Sequence, residues 1–203
     1  MEIKTHLYLA EKIYQNLTDA LPVDFSLSCF KLANILPDYT HNTVVHPHFA
    51  FYSLNYVKKQ IDELMKKRFA VHEMPDRRFI LRLGRITHYL CDFFCQVHAD
   101  GKMSNPRAHY RYEKAMDQAV ITRRAYFDQI SKTPFLQRFM LPDQFQQLLA
   151  DGQQQYAAQS GGFERDIWMA VRVSTTVACA ILRTCLALDP KNTIPAAAPV
   201  TCI

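Results

Sequence analysis

The sequence predicts an all-α fold, a single-domain multi-helix bundle, on three observations. Apolar residues recur at three- and four-residue steps along most of the chain. No stretch of useful length alternates apolar with polar residues, as a half-buried strand would. Glycine is scarce, at 5 of 203 residues, while 49% are hydrophobic and 21% charged, which excludes disordered, collagen-like and glycine-rich β chains. No repeat or linker divides the chain, so one domain is expected over residues 1–189, with the Ala- and Pro-rich stretch 190–203 as a fraying tail.

Each element follows from its own period. Leu7, Ala10, Ile13, Tyr14 and Leu17 mark a first amphipathic helix that Thr5 can cap. Residues 25–36 repeat the pattern until Pro37, which is expected to end it, and the stretch to Pro47 carries Asp38, His41, Asn42 and His46 without helical period. Residues 49–69 return to helix, with Leu54, Val57, Ile61, Leu64 and Met65 opposite a lysine-rich face. From Pro75 a long helix runs through Phe79, Leu83, Ile86, Leu90, Phe93, Phe94 and Val97 towards Gly101. It is apolar nearly all round, which predicts a central place in the bundle. Further helices are expected at 106–131, 142–159 and 163–188.

The same residues bound the class of protein. Residues 1–17 interleave Glu2, Lys4, Glu11 and Lys12 with apolar residues, unlike a signal peptide, so a cytoplasmic location is expected. Arg172 and Arg183 interrupt the apolar stretch 168–188, which reads as a buried helix rather than a membrane span. The 6 cysteines are irregularly spaced in apolar surroundings and read as reduced core residues, Cys91 and Cys95 included. Lys and Arg (24) exceed Asp and Glu (19), giving +5 without basic runs, so an anionic partner is permitted and nucleic acid stays open as a less favoured one.

Chemistry enters with the histidines. Asp92 follows His88 by four residues and Glu113 follows His109 by four, so each pair presents an imidazole and a carboxylate on one helix face. His98 lies ten residues beyond His88, about 15 Å along a continuous helix, a distance that suits a neighbouring ion rather than the same one. Two or more metals are therefore suggested. Imidazole nitrogen with carboxylate oxygen suits zinc, whereas magnesium and calcium sites are built from oxygen; manganese and iron stay open.

In order along the chain stand Thr5-His6-Leu7, Pro37-Asp38-Tyr39, a histidine before the third helix, His88-Tyr89-Leu90-Cys91-Asp92, His98, and His109-Tyr110-Arg111-Tyr112-Glu113. With these motifs the sequence resembles the bacterial zinc-dependent phospholipases C, whose all-helical fold is shared with single-strand-specific zinc nucleases. The resemblance spans residues 5–113, more than half the chain. It implies a first metal at Asp38, His48, His88 and Asp92, and a second at His98, His109 and Glu113. A third would take His6, with Asp92 bridging. The histidine before the third helix is either His46 or His48; His48 is preferred because it abuts the helix, and His41 ranks third. In the family an N-terminal tryptophan completes the third shell. Here the sole tryptophan is Trp168, which leaves that shell to water, the Met1 amine or another residue.

The resemblance implies hydrolysis of a phosphodiester by a metal-activated water, on a phospholipid or a soluble phosphoester, with two or three zinc ions as cofactor. Asp38 would orient or deprotonate the water and Tyr39 would contact the head group. Phe49, Phe51 and Tyr52 stand where they can line a lipid-facing mouth or belong to the core, and peripheral membrane contact is compatible with either. Two other functions stay open: a zinc nuclease or nucleotidase on the same fold, and a non-catalytic helical protein stapled by metal. The oligomeric state is not indicated by the sequence.

Overall fold

Residues 86–95 are buried without a break, and the fold is organised around the helix that carries most of them. The computed structural model describes residues 1–40, 46–70, 73, 75–99, 105–131, 144–159 and 161–186. Among these, in chain order, are α1 (Ile3–Ala20), α2 (Leu27–Tyr39), α3 (Ala50–Met65), α4 (Arg77–Phe93), α5 (Gln96–Ala99), α6 (Pro106–Thr122), α7 (Arg124–Ile130), α8 (Phe145–Ala158) and α9 (Phe163–Cys185). No strand occurs among the described residues. The fold is all-α.

Helix α4 packs against α2, α3 and α9, with α1 lying across α2 and α9. Asp76 caps α4, its side chain accepting from the Phe79 amide at 2.7 Å, so the helix starts two residues after Pro75. Tyr89, Leu90 and Phe93 are almost wholly buried in the core. Burying a side chain of this size contributes about 1.5–3 kcal/mol. That gain lets the same helix carry Thr87, His88 and Asp92 into the interior, where each is also 0% exposed. Helix α9 is long and apolar enough to cross a membrane, but 72% of its most apolar window is buried within the bundle.

Four expectations from the sequence are corrected. Thr5 does not cap α1, which starts at Ile3; instead Asp117 of α6 accepts the Thr5 amide at 2.7 Å, the Thr5 hydroxyl and the Lys4 amide. Pro37 does not end α2, which runs on to Tyr39, because a missing amide in the last turn removes only one bond near a terminus. The helix after Pro75 is not continuous through Val97: it stops at Phe93, and His98 sits on the separate turn α5. There Phe94 leaves helical geometry (φ −112°, ψ 29°) and is buried, its ring packing on Tyr156 and against the backbone of Gly152, where a Cβ would stand 3.0 Å from it. Tertiary packing on α8 overrides the local period. The helix over 106–131 is likewise broken at Arg123 (φ −118°, ψ 28°) into α6 and α7. Pro142, the tail 190–203, His41, Asn42, His72 and Cys202 lie outside the described residues.

Candidate metal centre

The bundle gathers eight side chains from six segments. Helix α4 supplies His88 and Asp92, α1 supplies His6, the last turn of α2 supplies Asp38, and the segment entering α3 supplies His48. His98 comes from α5 and the pair His109 and Glu113 from α6. Their donor atoms form three clusters: His6, His88 and Asp92; Asp38, His48 and His88; and His98, His109 and Glu113. Within each, the atoms lie within 4.8 Å of one another. His88 belongs to two of them. Asp92 divides its oxygens, with Oδ1 3.4 Å from His6 Nε2 and Oδ2 2.9 Å from His48 Nδ1 and 3.3 Å from His88 Nε2. In the third cluster His98 Nε2 and His109 Nε2 both reach Oε1 of Glu113, at 2.8 and 3.0 Å.

Neighbouring groups aim these side chains. His88 Nδ1 lies 2.7 Å from the Asn34 carbonyl. A carbonyl can only accept, so the proton sits on Nδ1 and the Nε2 lone pair is free to face Asp38 and Asp92. Asn34 is itself fixed: its side-chain oxygen accepts from Thr87 at 2.9 Å and its amide donates to the Phe30 carbonyl at 2.9 Å. Gly84 allows the two helices to approach, since a Cβ there would overlap Ala33 Cβ and stand 3.1 Å from the Phe30 oxygen. The segment bearing His48 is tied by Tyr89, which donates to the His46 carbonyl at 2.9 Å, and by Ser53, which donates to the Pro47 carbonyl. His46 stacks on Tyr56 at 3.8 Å, so of the two candidates it is His48 that joins the cluster.

The α-amino group of Met1 is buried in the same place, 2.6 Å from Asp92 Oδ1, 3.0 Å from Glu113 Oε1 and 3.4 Å from His98 Nε2. The break at Phe94 is what brings His98 this near, where a continuous helix would have carried it away. Burial alone would lower the Met1 amine, but the carboxylates of Asp92 and Glu113 hold it well above its ordinary value. Burial would raise Asp92, and the Met1 ammonium with His6, His98 and His88 hold it well below the carboxylate range instead. Burial, reinforced by the Met1 ammonium, pushes His98 down to about 4. Burial and then the neighbouring His6 lower His88, favouring the neutral imidazole that metal coordination requires.

A zinc ion fits the donors present. His6 Nε2, His88 Nε2 and Asp92 Oδ2 are buried and make no well-directed hydrogen bond among the described residues, although Oδ2 stands 2.9 Å from His48 Nδ1. Buried polar atoms without partners are rare, and several converging on one place mark a binding site for a cation. Imidazole nitrogens dominate the clusters, which disfavours magnesium and calcium. No cysteine belongs to a cluster among the described residues. Cys91 and Cys95 are buried, and Cys91 Sγ lies 3.3 Å from Ser174 Oγ.

One side of the centre is open. The Asp38 side chain is 24% exposed, against 0% for Asp92. Tyr39 beside it is exposed, as are Phe51, Tyr52 and Tyr110. A ring path leads inward from Phe51 to Tyr52 at 5.2 Å, to Phe49 at 6.3 Å and to His98 at 5.4 Å. Sequence reasoning missed Asn34, Asp117 and the role of Gly84. Asn34 did leave a signal, a polar residue on the apolar face formed by Phe30, Ala33 and Pro37.

No curated protein and no solved structure matches the chain. The family profile described as zinc dependent phospholipase C matches residues 5–163, a stretch that contains all eight gathered side chains. The chain therefore belongs to the zinc-dependent phospholipase C family, a family of hydrolases.

Proposed function

We propose that the protein is a zinc-dependent phosphodiester hydrolase that cleaves a phospholipid on the glycerol side of its phosphate. The observation that supports this most is the gathering of eight imidazole and carboxylate side chains into three clusters, within each of which the donor atoms lie within 4.8 Å of one another, with His6 Nε2 and His88 Nε2 buried and partnerless among the described residues. In this reading Asp38, His48, His88 and Asp92 hold one ion, His98, His109 and Glu113 a second, and His6, Asp92 and the Met1 amine, after losing its proton, a third. When bound, such ions neutralise charge on the phosphate oxygens and lower the pKa of a water. The protein's own part is to aim that chemistry.

In this reading Asp38 orients the attacking water or accepts its proton, because it is the carboxylate that solvent reaches in the cluster with His48 and His88. Burial, and the nearby charge of Asp92, raise it above the ordinary carboxylate value, which makes it a better base. Tyr39 is placed to meet the head group. The exposed pair Phe51 and Tyr52, with rings 5.2 Å apart, and the exposed Tyr39 suit the polar boundary of a bilayer, which favours a lipid over a nucleic acid as substrate. The cytoplasmic location expected from the sequence remains part of this proposal, which would make the accessible lipid one of an inner leaflet.

The test is release of phosphocholine from short-chain phosphatidylcholine by zinc-loaded protein, with single-stranded DNA assayed in parallel. We expect turnover of the lipid, loss of it on chelation, and loss of both zinc and turnover in His88→Ala. Turnover of DNA alone would favour the nuclease reading. A folded, zinc-loaded protein inactive on every phosphodiester offered would leave zinc as a staple.

A further inference from the structure

The third cluster depends on a turn that cannot support itself. Helix α5 has four residues, too few to be stable without tertiary contacts. Its partner residues His109 and Glu113 sit on another helix, yet His98 Nε2 and Glu113 Oε1 meet at 2.8 Å. One buried carboxylate outside the clusters reaches both segments. Oδ2 of Asp166, in the first turn of α9, accepts the Gln96 amide at 2.8 Å and the Tyr112 hydroxyl at 2.8 Å. Gln96 is two residues before His98, and Tyr112 is one residue before Glu113.

The other oxygen is held as firmly. Oδ1 accepts from the Tyr156 hydroxyl at 2.7 Å and from the Arg165 guanidinium at 3.3 Å. Arg165 also donates to Tyr156 Oη at 2.8 Å and lies 3.8 Å over its ring. Asp166 is 0% exposed. An isolated charge there would be costly, whereas a carboxylate that accepts from four residues on two oxygens forms a rigid, satisfied hub.

We infer that Asp166 is a positioning residue for the His98, His109 and Glu113 cluster, setting the spacing of α5 against α6. Among the described residues it makes no hydrogen bond to the three side chains, so it acts through Gln96 and Tyr112. Partners of this outer kind typically govern metal affinity by about 10–100-fold. The inference rests on the reading of these residues as zinc ligands, given above.

The test uses the full-length zinc-loaded protein, with Asp166→Asn and Tyr112→Phe, the second removing one hydroxyl and little else. Zinc is titrated by competition with a chromophoric chelator, and cobalt substitution gives a visible spectrum in which the bands lost in His98→Ala identify the third cluster. Both variants are expected to melt cooperatively, to lose zinc affinity about 10–100-fold at the third cluster only, and to lose the same cobalt bands as His98→Ala. Asp166→Glu is expected to recover part of that affinity. Equal weakening of all clusters, which a purely structural role would cause, overturns the inference, as does unchanged zinc binding in both variants. If the wild-type protein binds no zinc, the reading of the ligands has failed, and this inference falls with it.

Discussion

Replacing Gly84 by alanine tests the seam that sets the distance between Asp38 and His88. A mid-helix Gly→Ala exchange ordinarily gains about 1 kcal/mol in helix propensity. Here the new Cβ would overlap Ala33 Cβ and stand 3.1 Å from the Phe30 oxygen and 3.2 Å from Asn34 Nδ2. Two of those three are backbone or Cβ atoms that no rotamer change can move. Ordinary carbon contact near 3.5 Å then requires α2 and α4 to part by roughly 1 Å. Overpacking of this kind costs about 1–3 kcal/mol, so the net loss is about 0–2 kcal/mol. That lowers Tm by at most about 8 °C for a chain of this size. The functional effect should be larger than the thermal one. His88 Nε2 lies 3.6 Å from Asp38 Oδ1, and shared ligation tolerates only about 0.2 Å of error in each bond, so a 1 Å displacement should empty the Asp38, His48 and His88 cluster. The assay pairs a thermal melt with zinc content per chain. Ala33→Gly in the same molecule should restore zinc binding and most of the Tm, because it removes the closest clash and leaves one glycine at the seam, as in the wild type. A Gly84→Ala protein with raised Tm and full zinc content would refute the reasoning.

Four further outcomes are expected. Chelating the zinc should lower Tm by about 5–10 °C per site lost from hundredfold saturation, and added zinc should restore it in a calorimetric scan. Asp117→Ala removes the acceptor for the start of α1 and should cost about 1–2 kcal/mol by urea unfolding, with Asp117→Asn costing less. Glu11 bridges Lys31 at 2.7 Å and also pairs with Arg124; burial would raise it, but these cations hold it below its ordinary value. Its contribution, about 0.5–1 kcal/mol, should be full above the unfolded carboxylate value and fade as pH falls through the lowered one, so the gap between wild type and Glu11→Gln should close in acid. Phe51→Ala with Tyr52→Ala should slow hydrolysis of vesicles several-fold while sparing a monomeric short-chain lipid; equal loss on both would argue against an interfacial rim.

The sequence carried the all-α class and two of the clustered pairs because both are local signals. His88 with Asp92 and His109 with Glu113 are one turn apart, and the apolar period of α4 predicted its central place. What it did not carry was made by distant partners. The stop at Phe94 depends on Gly152 and Tyr156, the start of α1 on Asp117, and the spacing of α5 on Asp166. No window of eighteen residues contains both halves of any of these contacts. The preference for His48 over His46 could be read from its place beside the helix, but the contacts that hold His46 aside, a stack on Tyr56 and a hydrogen bond from Tyr89 to its carbonyl, could not.

The divided carboxylate of Asp92 has a mechanical consequence. One oxygen looks towards His6 and Met1, the other towards His48 and His88, and both sit on a single planar group with one torsion at its base. Turning that torsion re-aims both sides together, so occupancy on one side stiffens the other. The two compartments should fill and drain as a linked pair, and titration of the protein with zinc should depart from a sum of independent isotherms.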